Sequence, residues 1–160
     1  MAVPKTRGGG TMTESAYRSF IKSGLRQKSR RWAPVYQALA DAYVGQKKNK
    51  LTGRMCKHYE CADCGEHFPA KNVAVDHIHP VVPLSGFTTW DDIIGRMFVE
   101  KDGLQVLCTD CHYWKTQAER YLAREFKKDD LQRTTFIDKT PEAQFLLIKQ
   151  TTEKMRAVND

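Results

Sequence analysis

The chain has 160 residues, 41% hydrophobic and 28% charged, with a formal net charge of +7. That length suits one domain with an added arm, and the composition excludes wholesale disorder. No run approaches the roughly 18 apolar residues of a membrane span, so no membrane association is expected.

The charge is unevenly placed. Residues 1–57 hold 13 Lys+Arg against two acids, Glu14 and Asp41, whereas residues 58–160 hold 13 against 17. The positive excess therefore lies in the first third of the chain. The N-terminus has no apolar signal-peptide stretch, so a cytoplasmic location is expected. Residues 17–32 predict a helix with Phe20, Ile21 and Leu25 on one side and bases on the rest. Pro34 suits the first position of a second helix. Arg26, Lys28, Arg30 and Arg31 form one cationic cluster; Lys47, Lys48 and Lys50 form another, between Gly45 and Gly53, in an expected mobile linker. Clustered bases neutralise phosphates and release counterions. A solvated basic face, an RNA patch or a membrane-surface patch has the same composition.

Four of the five cysteines form two Cys-x-x-Cys pairs, Cys61/Cys64 and Cys108/Cys111, with 43 residues between them. Each pair can present two sulfurs to one tetrahedral ion, and two pairs complete the set that zinc prefers. Gly65 allows the tight turn behind the first pair. The alternatives are a dithiol/disulfide pair or buried thiols; two pairs in one small chain favour zinc. Cys56 is left over as a free thiol. His58 and His67 flank the first pair and are expected in surface or packing roles.

Between the pairs, Val73 and Val75 read as a short strand that ends at Asp76-His77 before Pro80. Residues 81–86 read as loop, and residues 88–98 as a helix with Thr88 or Thr89 as N-cap and an apolar face on Trp90, Ile93, Ile94, Met97 and Phe98. Asp102-Gly103 is a turn signal. Leu104–Leu107 predicts a second strand that pairs with the first across the insertion and leads through Cys108–Cys111 into a helix. His79 is expected on the loop surface, and Lys115 one helical turn after His112, within reach of a phosphate. Residues 127–139 are expected as loop, and Thr140-Pro141 starts a final helix that carries no chemistry.

Taken in this order, Cys61-Ala-Asp-Cys64, Val75-Asp76-His77-Ile78-His79-Pro80 and Leu104-Gln105-Val106-Leu107-Cys108-Thr109-Asp110-Cys111-His112-Tyr113-Trp114-Lys115-Thr116 resemble the HNH endonuclease family over about residues 56–118. A looser likeness is to small HNH proteins of tailed bacteriophages. The resemblance implies an α+β protein: a ββα-metal core with a four-Cys zinc site, N-terminal basic helices and a C-terminal helix. It divides the chain into a basic helical DNA-contacting arm (1–55), a nuclease domain with the zinc site (56–126), and a loop and helix packed on it (127–160). It implies His77 as general base, with Asp76 and His112 holding a catalytic Mg²⁺ or Mn²⁺, and products with 5′-phosphate and 3′-hydroxyl ends. Where the family has its Asn this chain has Gly103, preceded by Asp102. Asp102 is either a substitute one place along or a turn residue, and a backbone carbonyl is another way to orient His77. The expected partner is DNA, contacted through Arg26, Lys28, Arg30, Arg31, Lys47, Lys48 and Lys115 with little sequence specificity. The expected setting is the cytoplasm of a bacterium or a phage-infected host. A non-catalytic zinc-dependent DNA-binding or packaging-accessory protein is the alternative.

Overall fold

Turn chemistry organises the N-terminal end. The computed structural model describes residues 2–159. Gly8, Gly9 and Gly10 all have positive φ (56°, 64° and 83°), a conformation open to glycine without steric cost. Their turn joins two short antiparallel strands, β1 (Lys5–Arg7) and β2 (Met12–Thr13). Thr13 caps α1 (Glu14–Ser29), its hydroxyl accepting from the Ala16 N–H at 3.2 Å. Helix α2 (Ala33–Asp41) has its proline in the first turn, as expected.

These helices are docked on the rest of the chain. Trp32 Nε1 donates to the Val99 carbonyl at 2.9 Å, and its ring meets Phe98 edge-on at 5.8 Å. The Arg18 guanidinium lies 4.3 Å over the Phe87 ring. Lys101 Nζ sits 2.6 Å from Asp41 Oδ2.

The segment expected as a mobile linker is instead the end of a strand and the turn of a β-hairpin. β3 (Tyr43–Lys48) runs antiparallel to β4 (Met55–Glu60), which pairs in turn with β5 (His67–Pro69). Lys47 lies opposite Cys56 and Lys48 opposite Met55. The register shifts between Tyr43 and Gln46, where Gly45 takes a φ of 101°. Asn49 Oδ1 accepts from Leu51 N at 2.8 Å and so shapes the turn into β4. A Gly/Lys-rich segment has low strand propensity of its own; the pairing with β4 specifies it.

A single 3₁₀ turn, Ala70–Asn72, leads into β6 (Val73–His77), which pairs antiparallel with β7 (Leu104–Cys108). Asp76 faces Gln105 and His77 faces Leu104. The insertion between them contains α3 (Trp90–Met97); of the two candidate caps it is the Thr89 hydroxyl that accepts from Asp92 N, at 3.2 Å. β7 runs directly into α4 (Thr109–Lys128). Strand, insertion, strand, helix is the order expected from the sequence.

Residues 127–139 differ from the expected loop. They hold the end of α4 and a further helix, α5 (Asp130–Ile137), capped by Asp129, whose Oδ1 accepts from Gln132 N at 3.0 Å. Phe136 is buried there, its ring centroid 4.8 Å from that of Phe126. One aromatic anchor and one cap suffice where the other residues face solvent. Helix α6 (Pro141–Asn159) starts at the predicted cap, with Thr140 Oγ1 accepting from Ala143 N at 3.3 Å. Leu84, Leu122, Phe126, Phe136 and Ile148 form the apolar core among α4, α5, α6 and the insertion. Each such burial contributes about 1.5–3 kcal/mol, which anchors α4 against α5 and α6. The chain is thus α+β. Among the described residues, no helix is long and apolar enough to cross a membrane.

Candidate metal centre and adjoining groove

Cys61, Cys64, Cys108 and Cys111 come together, with their sulfurs all within 4.8 Å of one another. Local backbone structure places them. Gly65, at a φ of 70°, lets its N–H reach back to the Cys61 carbonyl at 2.9 Å. Cys108 is the N-cap of α4, and its sulfur accepts from Cys111 N at 3.4 Å. Cys61 Sγ accepts from Cys108 N at 3.3 Å, and Ala62 N donates to Val106 O at 2.8 Å, so the first pair is laced to β7. Burial pushes the Cys61 thiol up, but N–H groups of Cys64, Cys108 and Asp63 together outweigh it and hold this thiol below its ordinary value. Burial, reinforced by Asp63 and Cys108, pushes the Cys111 thiol up. Four sulfurs in one cluster, three of them buried, can hold a metal ion such as zinc, and binding would then displace the thiol protons.

The fifth cysteine stands apart, as expected. Cys56 Sγ lies 3.9 Å from His58 Nδ1, and that nitrogen is 3.0 Å from the Cys56 carbonyl. His67 Nδ1 pairs with Lys47 Nζ at 2.5 Å. Neither histidine belongs to the sulfur cluster.

Helix α6, read from sequence as free of chemistry, touches the centre. Arg156 Nη2 lies 3.4 Å from Cys111 Sγ and 3.2 Å from Asp63 Oδ2. Its charge offsets the negative charge that four thiolates would leave around a divalent ion. Outer-shell partners of this kind typically change metal affinity by about 10–100-fold. Arg156→Ala is therefore expected to speed zinc loss to a competing chelator about tenfold while keeping one zinc per chain. Chelator-competition kinetics check this. No sequence signal points to Arg156, because its partners lie 45 and 93 positions away.

Beside the sulfur cluster, Asp76 and His77 end β6, and His112, directly after Cys111, stands in the first turns of α4. His112 Nε2 is 3.9 Å from Asp76 Oδ1. Asp76 Oδ2 is engaged by Lys115 Nζ at 2.8 Å. His77 Nε2 lies 3.1 Å from the Met97 carbonyl, at the C-terminus of α3, where helix carbonyls lack intrahelical partners. A carbonyl only accepts, so Nε2 is the donor in this contact, and in the neutral imidazole Nδ1 is the nitrogen with the free lone pair.

Lys115, expected within reach of a phosphate, is only 8% exposed, with its ammonium already engaged by Asp76. Its ammonium also reaches Glu119 Oε1 at 2.6 Å and the His77 carbonyl at 3.0 Å. Burial disfavours the charged lysine, but Asp76 and Glu119 outweigh that and raise its pKa. Burial likewise raises the Glu119 carboxyl, against the pull of Lys115. Glu119 is a site residue the sequence reading missed; its i+4 spacing from Lys115 on the helix after β7 was the available signal.

Gly103 and Asp102 part company. Gly103 accepts from Ile78 N at 3.0 Å through its carbonyl, extending the β6–β7 pairing. A Cβ at residue 103 would lie 2.9 Å from Val99 side-chain atoms, so asparagine does not fit there without displacing Val99. Asp102 is exposed in the single turn Lys101–Gly103 and does not line the groove. His79, expected at the loop surface, is half-buried, its ring edge-on to Phe145 at 6.3 Å, and burial lowers its pKa.

Asp76, His77 and His112 open onto a groove of about 700 Å³. Arg26 of α1 and Arg30, its C-cap, line this groove together with Arg120 and Lys127 of α4. Lys28, Arg31, Lys47 and Lys48 do not line it. Among the described residues, the four cysteines are the one group of three or more Cys, His, Asp or Glu gathered closely enough to share an ion. Compared with protein-family models, with curated proteins and with solved structures, the chain gives no match.

Proposed function

We propose that the chain is a zinc-stapled HNH-type endonuclease that hydrolyses DNA phosphodiesters with a divalent ion, on a core made of β6, β7 and α4. One observation carries the reading: Asp76, His77 and His112 converge from a strand end and a helix start onto a groove lined with cations.

Asp76 Oδ1 and His112 Nε2 would hold the ion. Ligand atoms about 2.1 Å from one ion lie roughly 3–3.5 Å apart, so a separation of 3.9 Å needs only a small closure. Water and substrate phosphate can fill the remaining positions, as is usual for Mg²⁺. A bound ion would stabilise charge developing on the phosphate and on the leaving 3′ oxygen. The Met97 carbonyl fixes the His77 tautomer, so Nδ1 is the atom that takes the proton from the attacking water. Lys115 holds the far oxygen of Asp76 and the His77 carbonyl, which keeps both residues in register.

The test is nicking of supercoiled plasmid with Mg²⁺ or Mn²⁺. His77→Ala is expected to lose about 10²–10⁴-fold in rate, the usual contribution of a positioned base. Cleaved ends should carry 5′-phosphate; 3′-phosphate ends would exclude this mechanism. The second reading, a non-catalytic zinc-dependent DNA-binding or packaging-accessory protein, is favoured by one observation: Lys115 already neutralises the carboxylate that the ion needs. It predicts plasmid binding without metal-dependent nicking.

A further inference from the structure

The basic residues of the N-terminal segment are not equivalent. Lys22, Arg26 and Arg30 recur every four positions, which aligns them in one stripe along α1 and its C-cap. Arg26 and Arg30 line the groove that holds Asp76, His77 and His112. With Lys22 they also line a second open depression, of about 430 Å³, that continues along the helix away from the groove. Lys28 and Arg31 are exposed but line neither. Arg120 and Lys127, which also line the groove, are seven residues apart and so share a face of α4.

Nothing on α1 cancels the stripe. Its one acid, Glu14, lies at the far end and is engaged by Arg7 at 2.7 Å and Arg18 at 3.3 Å. The helix is also held in place: Arg18 packs over Phe87, Ser29 is buried, and Trp32 is hydrogen-bonded to Val99. Eight residues of helix rise about 12 Å, close to the axial rise of three to four nucleotides of one DNA strand at about 3.4 Å each. Adjacent cations of the stripe are thus about 6 Å apart along the axis, close to the rise of two nucleotides, so the three match alternate phosphates of one strand.

We infer that Lys22, Arg26 and Arg30 form a rail that guides one strand of duplex DNA into the Asp76–His77–His112 groove, with Arg120 and Lys127 as further cations of that groove. This rests on the nuclease reading for its destination, but not for its measurement. The rail leaves Lys28 and Arg31 as solvated surface charges.

Two charge-matched double variants of the full zinc-loaded chain test it: Arg26→Gln/Arg30→Gln on the rail, and Lys28→Gln/Arg31→Gln off it. All four side chains are exposed, so neither pair removes core packing. Binding to a short fluorescent DNA duplex is followed by anisotropy over a salt series, without added Mg²⁺ or Mn²⁺. Each lost phosphate contact lowers the log–log salt slope by about 0.9, so the rail pair should lower it by about 1.8. The rail pair should also weaken binding at least tenfold at fixed salt, while the off-rail pair should leave the slope nearly unchanged. Equal effects of the two pairs, or an unchanged slope for the rail pair, would overturn the rail and leave the nuclease reading standing. Tighter binding to an RNA duplex of the same sequence would overturn the assignment of DNA. No binding of the unaltered chain to DNA would overturn both. The nuclease reading fails by itself if nicking survives His77→Ala.

Discussion

Cys61→Ser is expected to release the zinc and unfold the region around it. Cys61 is fully buried, and its sulfur accepts from the Cys108 N–H at 3.3 Å. The residue also joins two parts of the fold, because it follows β4 while Cys108 ends β7 and Cys111 opens α4. Structural zinc contributes apparent free energies of about 10–16 kcal/mol in small zinc-dependent peptides. Whole domains are net stable by only about 5–15 kcal/mol, so losing the ion removes most or all of the margin. Zinc stoichiometry and a near-UV circular dichroism melt measure the outcome, and a strong chelator should act on the unaltered chain in the same way. Cys56→Ser is the control and should keep one zinc and a native melt, since Cys56 lies outside the sulfur cluster. Full zinc in Cys61→Ser, or lost zinc in Cys56→Ser, would show that the ligand set is different.

Lys115→Met should be the most damaging change in the groove. It keeps much of the side-chain volume but leaves Asp76 and Glu119 without their shared cation. Breaking one partner out of a buried charge network costs about 3–5 kcal/mol. For a chain of this size that is a fall in Tm of roughly 10 °C. The pH dependence carries the sign. In the unaltered chain the lysine pKa is raised, so its contribution is present throughout the neutral range. That contribution is lost only as pH climbs through the raised value, above lysine's ordinary value of about 10.4. In Lys115→Met, Glu119 loses the cation that pulls its pKa down while burial and the neighbouring Asp76 still hold it up, so protonation of Glu119 relieves the stranded charge. The deficit relative to the unaltered chain should shrink as pH falls from neutral toward about 4–5. Urea denaturation across that range checks it. A pH-independent deficit would place the loss in packing, and no deficit would mean that the lysine is not engaged as described.

Features with local causes were legible in the sequence. The two Cys-x-x-Cys pairs, the strand ending at Asp76-His77, the helix after Cys111 and the cap at Thr140 all depend on neighbours a few residues away. Features set by tertiary contact were not. β3 exists because β4 pairs with it, and its lysines and glycine gave no strand pattern. α5 looked like loop because a single phenylalanine anchors it. The partners of Lys115 were not legible either, since nothing in its neighbourhood reveals that β6 delivers Asp76 onto it. Arg156 and the Met97 carbonyl reach their partners across the fold and leave no trace in spacing. The missing asparagine was visible, but its physical reason was not: the Val99 side chain fills the space that a side chain at residue 103 would need.

His77, oriented by a backbone carbonyl and not by Asp102, is the proposed base of a metal-dependent nuclease. Side-by-side nicking of supercoiled plasmid by the unaltered chain, His77→Ala and Asp102→Ala tests this most directly. The expected result is equal Mg²⁺- or Mn²⁺-dependent nicking by the unaltered chain and Asp102→Ala, with His77→Ala slower by about 10²–10⁴-fold. Nicking by His77→Ala at the unaltered rate, or an Asp102→Ala loss as deep as that of His77→Ala, would contradict it.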